Sequence, residues 1–454
     1  MANLTQLRMA AREIFDEALR AVDPGTAMQQ SVVCDGSNLN LGGASFHIQD
    51  RNIYSISIGK AAVVMAAALE AILRDKLSAG LIAGPAGQQR ETTLSTNLGG
   101  RWMRFEGGHP LPNEASLRAA EAAFELLERA DKENALSVFL ISGGGSAMIE
   151  WPISNAITLD DLQNANQSLV NSGASINEIN SVRTAFSAIK GGRLAARAAN
   201  CDQVTLLVSD VPGGQEWNVA SGPTLPPPPG APKAHEVVEK YQLRAKLPES
   251  ILGAIELEEE TRPVENLTNL RNHFVLLSNE DSVEGAASAA VRRGFTSTIA
   301  RDITDEPIAS GCEKLLQRLA GLSGSDRRTI DSDLCLVSGG EFSCPVKGEG
   351  LGGRNLETAL RLAIAAANTP HFVALCAGTD GIDGSSPAAG AIVDSTTIER
   401  AKRIWLDPKD FLDRSDAYSF FVTLGDVITT GATGTNVRDL RILLQSNERK
   451  QIDT

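Results

Sequence analysis

The sequence predicts an α/β protein of two domains, each a mostly parallel sheet flanked by helices, with an active site in the cleft between them. Three observations carry that reading. Its 454 residues exceed what one ordinary core fills. Short apolar, β-branched runs alternate with stretches of helical length, which is the order of βα units in parallel sheets. Two of those runs, Val138–Ile141 and Leu334–Val337, enter the same turn, Ser142-Gly143-Gly144 and Ser338-Gly339-Gly340. A strand that ends in such a turn exposes backbone N–H groups with no Cβ in front of them, at the strand end where open α/β sheets bind ligands.

The elements follow in order. Residues 1–22 alternate charged and apolar side chains at helical spacing and read as an amphipathic surface helix, not a targeting segment. Asn52–Ile58 is a strand, Gly59-Lys60 a turn, and Ala61–Leu73 an Ala-rich helix. Leu81–Gly84 is a short strand, and Glu114–Asp131 a helix with Asn113 as its cap. After strand 138–141 and its glycine turn, a long helical stretch is expected through Gln167, then a helix over Ile176–Ile189 and a strand over Gln203–Ser209. Pro226–Pro229 cannot lie inside a helix or sheet. The predicted division is therefore residues 1–225, a Pro-rich linker 226–235, and residues 236–454. His273–Ser278 is expected to open the second series, followed by helix 282–293, strand 295–300, helix 306–321 and strand 333–337. A Gly-rich loop over Val346–Gly353, helix Arg354–Ala367 and strand His371–Ala377 complete it; whether the segment after Ser415 returns to the first domain stays open.

Composition narrows the function. Hydrophobic residues at 42% and charged residues at 22% describe a globular chain. A net charge of −14 without a basic block excludes nucleic acid and anionic membranes as expected partners. No apolar run is long enough to cross a bilayer. The six cysteines are scattered with no C-x-x-C pair, the usage of reduced thiols in a cytoplasmic protein.

An anionic small molecule would then need local cations and backbone dipoles. Lys60 opens a helix against its dipole, a placement suited to neutralising phosphate, although the segment is no P-loop. Ser142, Gly143, Gly144, Gly145 and Ser146 suit oxyanion binding; neither serine reads as a nucleophile, since G-x-S-x-G is absent. Asp210 closes a buried strand, where a base, a metal ligand or a plain turn cap all fit. Arg354 and Asn355 follow Gly352-Gly353, and a guanidinium beside a glycine loop suits phosphate or carboxylate. Asp380 and Asp383 sit among Gly378, Gly381 and Gly384, better matched to magnesium through one carboxylate and substrate phosphates than to calcium. Thr430–Val437 is a Gly/Thr loop, and His109, before Pro110, reads as structural by default.

Together these segments resemble the glycerate 2-kinase family over nearly the whole chain. The resemblance rests on the order of Ser57-Ile58-Gly59-Lys60-Ala61-Ala62, Gly108-His109-Pro110-Leu111-Pro112, Ser142–Ser146, Ile189-Lys190-Gly191-Gly192-Arg193-Leu194-Ala195 and Ser209-Asp210-Val211-Pro212-Gly213. It continues through Ala220-Ser221-Gly222-Pro223-Thr224, Ser338-Gly339-Gly340-Glu341, Gly352-Gly353-Arg354-Asn355, Gly378–Gly384 and Thr433-Gly434-Thr435-Asn436-Val437. It implies a Rossmann-like N-terminal domain, a leucine-rich α/β C-terminal domain, and ATP- and Mg²⁺-dependent phosphorylation of D-glycerate at its 2-hydroxyl. It also implies Lys60 and Arg354 as catalytic cations, Asp210 and Asp380 as the acids that bind metal or take the hydroxyl proton, and the Ser142–Ser146 turn as the holder of an anion.

The chain departs from the family's pattern at Thr184-Ala185, where a lysine and a histidine are usual, and at Gly214-Gln215, where two acids are usual. Ala432 replaces a third usual residue, a proline. The first two changes bear on substrate and activity. Hence the alternatives are a hydroxypyruvate reductase-type oxidoreductase, a kinase of a related hydroxy or sugar acid, and a metabolite-binding homologue without turnover. The sequence leaves monomer and homodimer both open.

Overall fold

The computed structural model describes residues 3–86, 98–258, 271–324 and 332–446. They form two compact units, one of Pro24–Leu277 and one of Met1–Asp23 with Ser278–Thr454.

The unit Pro24–Leu277 opens with an antiparallel meander of β1 (Val32–Cys34), β2 (Asn38–Leu41) and β3 (Ala44–His47). Its main sheet holds β4 (Ile53–Ile58), β5 (Leu77–Gly84), β6 (Trp102–Glu106), β7 (Leu136–Ser142), β8 (Asp202–Val208) and β9 (Arg271–Leu277). The order is β6-β5-β4-β7-β8-β9, with every pair parallel. This is the doubly wound dinucleotide-fold order, whose direction of winding reverses between the first and fourth strands, here β4 and β7. Both are buried along their whole length, as strands covered on two faces must be. Ile56, Ile58, Phe139 and Ile141 pack against Ala119, Ala123 and Leu127 of helix Glu114–Lys132, which Asn113 starts with a capping box.

Two expectations shift in this unit. Helix does not run continuously to Gln167: one turn, Gly145–Met148, ends before Trp151-Pro152, and helix resumes only at Leu159 behind a Thr158 capping box. Pro152 cannot supply the N–H that a continuous helix requires. The chain also stays in this unit past the Pro-rich stretch 226–235. Helices Ala234–Lys240 and Glu249–Glu258 pack with Leu159–Val170 and Ile176–Phe186 around Leu162, Val182, Phe186, Leu243 and Ile251. β9 then adds to β8, so the compact units divide at 277/278 instead, and β9 ends the first series rather than opening the second.

The second unit carries β10 (Thr296–Ile299), β11 (Leu334–Ser338), β12 (Phe372–Gly378), β13 (Gly390–Asp394), β14 (Val427–Ile428) and β15 (Asp439–Gln445), in the order β10-β11-β15-β12-β13-β14. β10 and β11 are parallel, and β15 runs antiparallel between β11 and β12. β13 and β14 add antiparallel, so this sheet is mixed. The end of the chain thus supplies a central strand of its own unit. One face buries Leu315, Leu336, Leu360, Phe372, Phe420 and Leu443. Leu7, Ile14 and Phe15 of helix Leu4–Ala21 cover the other face together with Ala286 and Ala290 of helix Asn279–Arg292. Among the described residues no helix is long and apolar enough to cross a membrane.

Candidate active site

Because β4, β6, β7 and β8 are parallel, the turns that follow them lie along one edge of the sheet. β4 delivers Gly59-Lys60 and β7 delivers Gly143–Ser146, at the point where the winding reverses, the position at which doubly wound sheets bind ligands. The two turns are stitched together. Lys60 N donates to Gly143 O at 3.0 Å, Ala61 N donates to Ser142 Oγ at 3.0 Å, and that hydroxyl donates to Ile58 O at 3.2 Å. Gly59 has φ +108°, and a carbon added there would lie 2.3 Å from Ser142 O, so only glycine permits this approach.

Three chemically active side chains gather on the glycine turn. A carbon added at Gly143 would lie 1.8 Å from Asp210 Oδ2, which places the carboxylate that follows β8 directly against the glycine backbone that follows β7. One added at Gly144, whose φ is +79°, would lie 3.2 Å from Lys60 Cγ and 3.3 Å from His109 Cδ2. Lys60, Asp210 and the turn, predicted separately, are therefore brought together, and His109, read from sequence as structural, joins them. Its signal was its place in Gly107–Pro112, a rigid loop at the end of β6.

The serines that bracket the turn are occupied from within. Ser142 is fully buried, and its hydroxyl is used in the bonds to Ile58 and Ala61. Ser221 donates its hydroxyl proton to Asn180 Oδ1 at 2.8 Å. Ser146 Oγ, 2.8 Å from Ser221 Oγ, must then be the donor in that contact and keeps only lone pairs. Neither hydroxyl is thus left to donate to a ligand. Below the turn, Lys190 pairs with Glu150, both 1% exposed, and burial pulls the Lys190 ammonium down while Glu150 opposes the shift.

The second unit holds Arg354, Asn355 and Asp380 close together. Arg354 begins helix Arg354–Ala365, and its Nε donates to Asp439 Oδ2 at 2.6 Å while Nη2 pairs with Glu341 Oε1 at 2.6 Å. Burial would lower this guanidinium, but Asp439 and Glu341 outweigh it and raise its affinity for the proton. Asn355 was expected at a phosphate. It is instead 2% exposed, and its Nδ2 donates to Asp439 Oδ1 at 2.9 Å and Asp383 Oδ1 at 3.2 Å. Asp383 caps the helix, accepting from Asn355 N at 3.1 Å and Leu356 N at 2.8 Å. Burial pushes the Asp383 carboxyl up to about 7, with Asp439 adding to the effect and the two amides opposing it.

Asp380 is half-buried. Its Oδ1 accepts from Ile382 N at 3.1 Å, and its carbonyl receives Thr433 N at 3.2 Å, tying loop 378–384 to loop 430–436. Asp439 and Glu341, which fix Arg354, were not predicted as site residues; β15 follows a Gly/Thr loop whose sequence gives no hint of its partner strand.

Two family models match the chain: "Domain of unknown function (DUF4147)" over residues 10–256 and the MOFRL family over residues 334–439. A D-glycerate 2-kinase of Thermotoga maritima is 34% identical over 96% of this chain and 98% of its own length. A protein of Agrobacterium vitis provisionally named a hydroxypyruvate reductase is 33% identical over 97% of this chain and 95% of its own. The crystal structure of a glycerate kinase from Thermotoga maritima superposes with a TM-score of 0.80 at 32% identity, covering 97% of this chain and 100% of that one.

Proposed function

We propose, from the premise that the chain belongs to the glycerate 2-kinase family, that it transfers the γ-phosphoryl group of ATP to the 2-hydroxyl of D-glycerate, giving 2-phosphoglycerate. The observation that carries the reading is the convergence of Lys60 and Asp210 on Gly143-Gly144, where the sheet's winding reverses. Phosphoryl transfer asks for positioning and charge stabilisation more than for covalent chemistry. The amides of the turn hold an anion, and Lys60 neutralises charge on the transferring group. Asp210 orients the 2-hydroxyl and takes its proton. Arg354, kept cationic and aimed by Asp439 and Glu341, adds the second positive charge.

Among the described residues no three His, Cys, Asp or Glu side chains gather into a metal cage. A single carboxylate, Asp380, would hold Mg²⁺ together with ATP oxygens and water, a donor set that this ion favours. Bound there, Mg²⁺ supplies charge neutralisation and orientation of the phosphates. The six free thiols fit a cytoplasmic enzyme.

Hydride transfer, the reading behind the Agrobacterium vitis name, finds less support. Neither Gly59-Lys60-Ala61 after β4 nor Ser142–Ser146 after β7 supplies G-x-G-x-x-G. Incubation of the purified chain with ATP, Mg²⁺ and D-glycerate should release ADP and yield a product phosphorylated at C2. Oxidation of NAD(P)H by hydroxypyruvate without ADP release would overturn the proposal.

A further inference from the structure

The segment Ile189-Lys190-Gly191-Gly192-Arg193 has no part in the reaction above, yet it sets a buried ion pair against the glycine turn. Lys190 Nζ donates to Ser146 O at 2.9 Å and pairs with Glu150. Glu150 Oε1 in turn accepts from Ser187 Oγ at 2.5 Å and from Trp151 N at 3.0 Å. The other polar group of Ser146, its hydroxyl, is held by Ser221, which Asn180 orients. Asn180 Nδ2 donates to Asn218 Oδ1 at 3.0 Å, and Asn218 Nδ2 to Asn177 Oδ1 at 2.6 Å, so the chain of donors has one direction.

A buried ion pair adds little stability over well-packed apolar residues of the same volume. What Lys190 does that a methionine there would not is hold a carbonyl of the turn. Gly145–Met148 is a single turn of helix, too short to satisfy its own terminal carbonyls, so its shape depends on outside partners. We infer that Lys190 and Ser221 are positioning residues for the anion-holding turn: they fix Ser146 by its carbonyl and its hydroxyl, and through it the direction of the amides of Gly143, Gly144 and Gly145. This rests on the kinase reading only in taking that turn to hold an anion.

The test uses the full chain and three variants: Lys190→Met, Lys190→Met combined with Glu150→Gln, and Ser221→Ala. For each, melting temperature, calorimetric dissociation constants for ATP and for D-glycerate, and KM against kcat are measured. Lys190→Met alone strands a buried charge on Glu150 and lowers the melting temperature. The paired variant removes that charge and recovers the melting temperature, while one of the two ligands stays weakened about tenfold, as expected for one lost charge-assisted hydrogen bond. Ser221→Ala leaves the Ser146 hydroxyl without its acceptor, so it lowers the melting temperature modestly and raises KM for the same ligand more than it lowers kcat.

Recovery of affinity together with stability in the paired variant would make Lys190 purely structural and overturn the inference. Should the paired variant not fold, Ser221→Ala with wild-type constants overturns it just as well. Because affinity is read without turnover, a wild-type chain that binds both ligands but releases no ADP refutes the kinase reading and leaves this inference intact; one that binds neither refutes both.

Discussion

The two Ser-Gly-Gly turns share one backbone plan and differ in what surrounds it. Ser142 Oγ donates to Ile58 O, and Ser338 Oγ donates to Ile303 O at 2.6 Å. A carbon added at Gly143 would meet Asp210 Oδ2 at 1.8 Å, and one at Gly339 would meet Asn279 Oδ1 at 1.8 Å. Gly144 and Gly340 both take left-handed φ, +79° and +83°. Around the first turn, however, stand Lys60, Asp210 and His109. The second is filled from inside: Gly340 N donates to Asn279 Oδ1 at 2.7 Å, and the buried Arg441 donates to Gly339 O at 2.7 Å and Gly340 O at 2.9 Å. Its last residue, Glu341, holds Arg354. The same tripeptide thus has a lysine, an aspartate and a histidine gathered on it in one unit and braces a cationic side chain in the other. Identical local geometry does not assign a role; the neighbouring strands do.

The sharpest way to break this comparison is to remove the cations. Lys60→Ala and Arg354→Ala should each lower kcat by roughly 100-fold or more, in the range of cationic stabilisation in phosphoryl transfer. Arg354→Ala should also melt earlier, because Asp439, 3% exposed, loses its guanidinium. Near-normal turnover in either purified variant takes that residue out of the mechanism.

Matched glycine substitutions sharpen the contrast. Gly143→Ala displaces the Asp210 carboxylate and should cut kcat by about tenfold or more, with a smaller change in melting temperature. Gly339→Ala pushes on Asn279, whose amide is tied to Val437 O, Asp439 O and Gly340 N, and should cost about 1–3 kcal/mol in chemical denaturation. The reverse outcome would exchange the roles assigned to the two turns. Arg441→Met, which strands Gly339 O and Gly340 O and takes one donor from Ser338 Oγ, should cost about 3 kcal/mol of stability and leave KM for both substrates near wild type.

Per unit of pH, the smallest effect is a stability slope. Asp383, raised to about 7 by burial, holds a proton in the folded chain that the unfolded chain has already lost above the ordinary carboxylate range. Unfolding free energy should therefore fall as pH rises from about 4 to 7, by at most about 1.4 kcal/mol per pH unit, and level off above that. In Asp383→Asn this component of the slope disappears; an unchanged slope would place the proton elsewhere.

Strand and helix content was legible wherever the pattern is local. The predicted strand at Asn52–Ile58 appears as Ile53–Ile58, and Asn113 does cap the helix that follows it. Where residues far apart decide, the sequence was silent. Nothing in Arg271–Leu277 says that it pairs with β8, and nothing in Asp439–Gln445 says that it inserts between β11 and β12. For the candidate site, Lys60, Asp210 and the glycine turn were legible because charge at a strand's end is unusual, whereas Lys190, Glu150 and Asp439 read as ordinary charged residues until their partners are known.

The sequence by itself determined the α/β class, the family, and which residue types sit at the ends of which strands, because side-chain periodicity and glycine placement are written along the chain. Tertiary structure alone decided what surrounds each Ser-Gly-Gly turn. Strand order sets β4, β7 and β8 side by side, so that Lys60 and Asp210 meet one turn, and it sets β15 beside β11, so that Arg441 fills the other. Strand neighbours are a product of long-range pairing, which no local pattern encodes.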